Sequence, residues 1–182
     1  MYRRRRENMS WRFLVNPDLC LGCRSCEIAC RNEFADQEGA RWRWLKEVED
    51  HSGLHYFLSL SCNHCENPEC VRVCPEGTYR KRKDGIVLHD PWRCSGCGKC
   101  THACPFHVPK YSLSSGRVDK CNLCFHRLDK GLPAACVAAC PVNALCHLFP
   151  NEPDPMDARG SVTGFTNILI TKPSIRFIHS SI

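Results

Sequence analysis

A chain of 182 residues with 25 Lys and Arg, 19 Asp and Glu and a formal charge of +6 has the length of one or two domains. Leu, Ile, Val and Phe are too sparse for a large apolar core, so something besides hydrophobic burial must help to hold the fold. The seventeen cysteines would suit a disulfide scaffold in a short secreted chain, but their number is odd and no secretory signal precedes them, and no apolar run reaches the roughly 18 residues of a membrane-spanning helix.

In chain order, Met1 to Arg6 is basic with four consecutive arginines. No apolar stretch follows it, so it reads as a solvated tail and not as an export signal or a nucleic-acid patch. Group one is Cys20, Cys23, Cys26 and Cys30, spaced C-x2-C-x2-C-x3-C and followed by Arg31. Gly39 to Leu60 predicts a hairpin, with its turn at His51-Ser52-Gly53 and an alternating strand from His55 to Leu60. Group two is Cys62, Cys65, Cys70 and Cys74, with one gap widened to four residues, and then Pro75. Asp84-Gly85 between Tyr79–Lys83 and Ile86–His89 is a strong hairpin signal. Group three, Cys94, Cys97, Cys100 and Cys104, repeats the first spacing and ends in Pro105. In group four, Cys121, Cys124, Cys136 and Cys140 before Pro141, eleven residues separate the second and third cysteines. Asn151 to Pro155 reads as a turn-rich linker, and Asn167 to Thr171 as one short strand, which must pack on the body or on a partner because a lone strand is not stable.

The fourfold repeat is read before any single element. Three thiolates within seven residues of a tight loop can wrap one face of a four-iron cubane, and the small Ser95, Gly96 and Gly98 let backbone N–H groups approach its sulfurs. The fourth cysteine falls on the following helical turn and points elsewhere. In two-cluster bacterial ferredoxins, whose signature this run is, it ligates the other cluster. The third-to-fourth cysteine segments are expected to be short helices, stopped or redirected by the proline.

A cysteine group, a hairpin and a second group form the plan of one such ferredoxin, so groups two and three pair, and one and four pair around them. The competing pairing, one with two and three with four, makes two beads on a string. The compact hairpin between groups two and three favours nesting. The exchange rule then gives four sites: Cys20, Cys23, Cys26 with Cys140; Cys30 with Cys121, Cys124, Cys136; Cys74 with Cys94, Cys97, Cys100; and Cys62, Cys65, Cys70 with Cys104. The expected fold class is α+β, two nested ferredoxin modules of short strands and helices, rich in loops. Residues 1–60 and 106–150 form the outer module, 61–105 the inner one and 151–182 a tail.

Four oxidised clusters with their thiolates contribute about −8, which brings +6 to roughly −2. The basic residues then counter buried anions, and a nucleic-acid role loses its support, since they are scattered along the chain. Zinc fits poorly, because its sites want two C-x2-C pairs or a His-Cys set. His64 and His102, inside cysteine groups, read as neighbours of the ligands or surface residues, and the leftover Cys146 as a small buried hydrophobe. Lys99, Lys120 and Arg93 lie beside ligands and either raise potentials or are solvated. Trp11, Trp42, Trp44 and Trp92 read as covers for a small core or interface anchors.

The residues Leu58 to Pro68, the hairpin at Lys83-Asp84-Gly85, Val118 to Cys124 and Ala135 to Pro141 resemble the four-cluster iron–sulfur subunits of the molybdopterin oxidoreductases, of the dimethyl sulfoxide reductase B-subunit type. The resemblance spans about Trp11 to Leu148, with a weaker echo at Thr171 to Ile175, and the family also commonly lacks the proline after group one. It implies nested pairing and an electron-transfer role without a catalytic site. The partners it implies are a large molybdopterin catalytic subunit and an integral membrane subunit that exchanges with quinone, the complex being membrane-associated through them. Relatives that replace the second cysteine of group three hold a three-iron cluster there; Cys97 is present, which implies four [4Fe-4S] clusters. The Cys20 site is expected to face the molybdenum subunit, and the Cys62 site the membrane subunit. A free polyferredoxin carrier is the alternative; the insertion, the Gly39–Leu60 extension and the tail favour a subunit.

Overall fold

The computed structural model describes residues 10–35, 41–165 and 168–180; the basic run before residue 10 and the start of the Gly39–Leu60 segment lie outside them. Strand β1 (Arg12–Val15) pairs antiparallel with β8 (Leu145–Leu148), Arg12 opposite Leu148 and Val15 opposite Leu145. The chain that leaves group four therefore returns beside the chain that enters group one. Strand β9 (Arg176–Phe177) adds to the other edge of β1 in parallel, Val15 opposite Phe177.

Three two-stranded hairpins complete the strands. In β2 (Trp44–Glu49) and β3 (His55–Leu60), Asp50 Oδ1 accepts from Ser52 N and Leu54 N at the expected turn, where Gly53 has φ +81°. In β4 (Tyr79–Lys81) and β5 (Val87–His89), Gly85 takes φ +84° at the Asp-Gly turn and Gly85 N donates to Arg82 O at 3.0 Å. The third, β6 (Lys110–Ser112) and β7 (Arg117–Asp119), closes through Ser114, Ser115 and Gly116. Its strands are too short to show a pattern in sequence.

The helices are α1 (Ser25–Glu33), α2 (Glu69–Arg72), α3 (Lys99–Ala103), α4 (Phe125–Leu128) and α5 (Ala135–Ala138). The lengths of α1, α2, α3 and α5 follow the residue after the fourth cysteine of each group. Proline there forces the preceding cysteine out of the helical region, as at Cys104, with ψ +113°. Helices α2, α3 and α5 therefore stop after four or five residues, whereas α1, with Arg31 in place of proline, runs for nine. Helix α1 packs against α5, and α2 against α3. Single 3-10 turns, Pro17–Leu19 and Pro91–Arg93, lead into the first cysteines of groups one and three. In each, the residue before proline, Asn16 or Asp90, accepts a backbone N–H at its side-chain oxygen.

The tail is anchored to the body. Phe177 and Ile175 are buried in the main core with Phe13, Val15, Leu58 and Leu145, and Asp154 bridges the guanidinium groups of Arg12 (3.0 Å) and Arg176 (2.6 Å). One expectation is corrected here. Of the strand read at Asn167–Thr171, Asn167 lies outside the described residues and 168–171 form a turn, Thr171 N donating to Ile168 O at 3.0 Å. The turn commits its backbone to the group-two loop, where Glu66 N donates to Lys172 O (2.8 Å) and Asn67 N to Thr171 O (3.0 Å), and it leaves Leu169 and Ile170 exposed. Phe177→Ala should cost about 3–5 kcal/mol and release the tail. Thermal unfolding and limited proteolysis should show a lower midpoint and earlier loss of residues 151–182 than in the parent chain.

Candidate iron–sulfur sites

The third and fourth cysteines of each group are four residues apart, both on α1 in group one and, in the other groups, one on the helix and one just past its last residue, and each pair is divided between two sets. One cavity is lined by Cys20, Cys23, Cys26 and Cys140. Another is lined by Cys62, Cys65, Cys70 and Cys104, and a third by Cys74, Cys94, Cys97 and Cys100. The remaining four, Cys30, Cys121, Cys124 and Cys136, are all buried. Burial first, and then Cys121, Cys136 and Cys124, raise the pKa of the Cys30 thiol.

The four sets form a row. Cys26 shares a buried cluster with Cys124 and Cys136, Cys62 packs with Cys30 and Cys121, and Cys70 packs with Cys74, Cys94 and Cys100. The order is therefore the Cys20 set, the Cys30 set, the Cys62 set and the Cys74 set. The Cys62 set, expected to face the membrane subunit, lies between two other sets in this order, because Cys70 on α2 and Cys74 just past it fall in different sets. The exposed cysteines are Cys23 and Cys97, one in each end set.

The first two cysteines of every group embrace the same backbone device. The residue before the second cysteine takes a left-handed conformation in all four: Gly22 (φ +68°), His64 (φ +42°), Gly96 (φ +72°) and Leu123 (φ +60°). That turn aims its N–H at the first sulfur. Gly96 N donates to Cys94 Sγ and Leu123 N to Cys121 Sγ, each at 3.4 Å, and Gly22 and His64 donate likewise to Cys20 and Cys62. The glycines were legible in the sequence; His64 and Leu123 hold the same strained position without that signal.

Hydroxyl groups lie against three sets. Ser59 Oγ is 3.3 Å from Cys26 Sγ, Cys23 Sγ and Ser25 Oγ are 3.4 Å apart, Thr78 Oγ1 is 3.1 Å from Cys74 Sγ, and Thr171 hydrogen-bonds Cys65 from the tail. The Cys30 set instead meets Arg43 and His64. The Arg43 guanidinium is buried, donating to Ser59 Oγ (2.9 Å) and Ser61 Oγ (2.8 Å) and lying 4.4 Å from the Phe13 ring centroid. His64 Nδ1 accepts from Val87 N at 3.0 Å, which places the proton on Nε2, 4.0 Å from Cys121 Sγ. Burial, then Lys120 and Lys81, hold the His64 pKa well below that of an ordinary histidine. Lys120 is buried, its ammonium donating to Val87 O and Cys121 O. Lys99, Arg93 and His102 are exposed. Cys146 lies on β8, half-buried, its thiol donating to Asn143 O at 3.3 Å.

The donor chemistry fits cubane clusters. All seventeen cysteines are free, and among the described residues no three His, Cys, Asp or Glu side chains converge closely enough for a single ion. The sulfurs stand around a space, as a cubane requires and zinc does not. Burial and neighbouring thiols push Cys65, Cys70 and Cys124 up to about 12, so several thiolates can gather there only around a positive core. Buried Trp42 Nε1, among Cys30, Cys62 and Cys121, and Asn63 Nδ2 have no acceptor among the described residues; inorganic sulfides supply such acceptors. At Gly96 a Cβ would lie 2.1 Å from Gly116 O, whereas at Gly131, with a similar φ of +73°, it would meet nothing within 4 Å. Gly96→Ala should therefore lower the thermal midpoint and the iron content well beyond Gly131→Ala, which carries only the left-handed penalty of about 1–2 kcal/mol.

Comparison with known proteins accords with this chemistry. Residues 54–147 match the 4Fe-4S dicluster domain and residues 17–33 a 4Fe-4S binding domain. The chain is 37% identical over 144 residues to the B subunit of the anaerobic dimethyl sulfoxide reductase of Escherichia coli, covering 73% of this chain and 70% of the relative. It is 41% identical over 132 residues to the thiosulfate reductase electron transfer subunit of Salmonella typhi, covering 69% of each. It is 32% identical over 152 residues to the nitrate-inducible formate dehydrogenase iron–sulfur subunit of Escherichia coli, covering 72% and 52%. With α+β architecture, four cysteine groups and these relatives, the chain belongs to the 4Fe-4S dicluster family, among the electron-transfer iron–sulfur subunits of the dimethyl sulfoxide reductase B-subunit type.

Proposed function

We propose that the chain holds four [4Fe-4S] clusters and conducts electrons between a molybdopterin catalytic subunit and a membrane subunit that exchanges with quinone. The ligand sets are Cys20, Cys23, Cys26, Cys140; Cys30, Cys121, Cys124, Cys136; Cys62, Cys65, Cys70, Cys104; and Cys74, Cys94, Cys97, Cys100. Residues 1–60 with 106–150 make the outer module, 61–105 the inner one, and 151–182 a tail on the body.

The observation that carries this reading is the row itself, which runs from exposed Cys23 to exposed Cys97 with the other sets between them. When bound, the clusters supply one-electron carriers whose potentials follow local charge, hydrogen bonds and exposure. The protein's own part is to hold the sulfurs apart, to donate N–H and O–H groups to them and to keep the Cys30 set buried. The Cys20 set is assigned to the catalytic partner and the Cys74 set to the membrane partner. Among the described residues no helix is long and apolar enough to cross a membrane, so membrane attachment is assigned to that partner.

Iron and acid-labile sulfide should each approach about sixteen atoms per chain, four per cubane; half that amount would defeat the four-cluster reading. Cys104→Ser should disturb the electron paramagnetic resonance signal of the Cys62 site and spare that of the Cys94 site, and the reverse would overturn the exchange of fourth ligands. Purification of the tagged chain from its native host should bring down a large molybdopterin protein; a stable free holoprotein that reduces many acceptors would favour a soluble carrier instead.

A further inference from the structure

Arg43 is a guanidinium deep in a protein core with no carboxylate beside it among the described residues. A buried cation without a counter-ion costs several kcal/mol, so its surroundings must supply the negative charge. Around it lie Cys136, Cys121, Cys26 and Cys30. Three of these belong to the Cys30 set and one, Cys26, to the Cys20 set, so Arg43 stands at the junction of the two outer sites.

Its position is fixed. Arg43 Nη1 donates to Ser59 Oγ (2.9 Å) and to Ser59 O (3.3 Å), Nη2 donates to Ser61 Oγ (2.8 Å), and the Phe13 ring lies 4.4 Å from Cζ. Ser59 and Ser61 flank the end of β3, so the same strand that leads into group two aims the charge at groups one and four. Ser59 Oγ, which accepts from Arg43 Nη1, also lies 3.3 Å from Cys26 Sγ, so the guanidinium and the Cys20 set share that hydroxyl. The Cys20 and Cys74 sets meet hydroxyl groups at their sulfurs, and the Cys62 set has Thr171 and the buried Lys120 ammonium beside it; Arg43 is the buried cation shared by the Cys30 and Cys20 sets, in an interior where Coulomb interactions are least screened.

We propose that Arg43 is the counter-charge of the outer cluster sites and holds the reduction potential of the Cys30, Cys121, Cys124, Cys136 site above the value its burial would otherwise set. This rests on the ligand assignment above. Reduction adds one electron and no proton to a site that is already anionic, so a fixed neighbouring cation stabilises the reduced form more than the oxidised one. The effect falls with distance: strongest at the Cys30 set, weaker at the Cys20 set and absent at the Cys74 set, which lies at the far end of the row from the Arg43 junction.

The test is a dithionite titration of the cluster-loaded full chain followed by electron paramagnetic resonance. Cys124→Ser first identifies the signal of the Cys30 site; if no four-iron signal is lost or altered, the ligand assignment fails and not the role of Arg43. Arg43→Gln should lower the midpoint of that signal by at least about 59 mV, a tenfold change in a one-electron equilibrium, with the Cys74 signal unmoved. Arg43→Lys, which keeps the charge, should restore most of the shift. Unchanged midpoints at full iron content, an equal fall in Arg43→Lys, or a uniform fall at all four sites would each overturn the proposal. If Arg43→Gln does not load iron, Ser61→Ala decides: it removes one of the hydroxyls that aim the guanidinium, and a lowered midpoint at the same signal supports the role, whereas an unchanged one overturns it.

Discussion

The third and fourth cysteines of each group stand four residues apart, on one helix at Cys26 and Cys30 and across a helix end in the other three groups, and each pair is divided between two sets. Cys26 and Cys30, Cys70 and Cys74, Cys100 and Cys104, and Cys136 and Cys140 all straddle a boundary. Each of the three cavities draws one cysteine from a partner group, as the helices pack two by two, α1 on α5 and α2 on α3. The hydrophobic residues that remain, Phe13, Val15, Leu58, Leu145, Ile175 and Phe177, lock the strands that bring group four back beside group one.

The same constraint explains the row. A four-residue segment that contributes to two sets fixes the step between them, so α1 with α5, and α2 with α3, each with the residues just past it, space the sets within each pair. The join between the pairs is made differently, where Cys62 packs against Cys30 and Cys121 beside buried Trp42. Lys120 lies at that join, its ammonium held by the carbonyls of Val87 and Cys121, and Arg43 lies at the join of the two outer sets. The +6 formal charge thus has an internal part, placed where buried anions meet. Exposed Lys99 and Arg93 lie on the outside, where water screens them.

The tail belongs to the site as much as to the fold. Thr171 lines the Cys62 cavity, Ser174 Oγ donates to His64 O at 3.1 Å and Ser174 N donates to Asn63 O at 2.9 Å. The group-two loop, with left-handed His64 and a widened gap, has few hydrogen bonds of its own. Residues 171–174 supply them from the far end of the chain.

Cysteine spacing is a local property, and so are the turn at Asp84-Gly85, the capped Pro17 and Pro91 turns and the helix stops at Pro75, Pro105 and Pro141. Sequence alone therefore determined the fold class, the chemistry of the sites and the grouping of the thiols, because each depends on residues within a few positions of one another. Three matters were decided only in three dimensions. Which of several basic residues is buried depends on distant packing: Arg41 and Arg43 are near neighbours in the chain, and only the closure of β2 and β3 over the cysteines puts Arg43 inside and leaves Arg41 outside. The order of the sets depends on how Cys62 meets Cys121, a contact between residues far apart in the chain. The tail's true strand is Arg176–Phe177 and not the apolar run before Lys172, because an edge of β1 was open to it and the group-two loop claimed the backbone of the earlier segment.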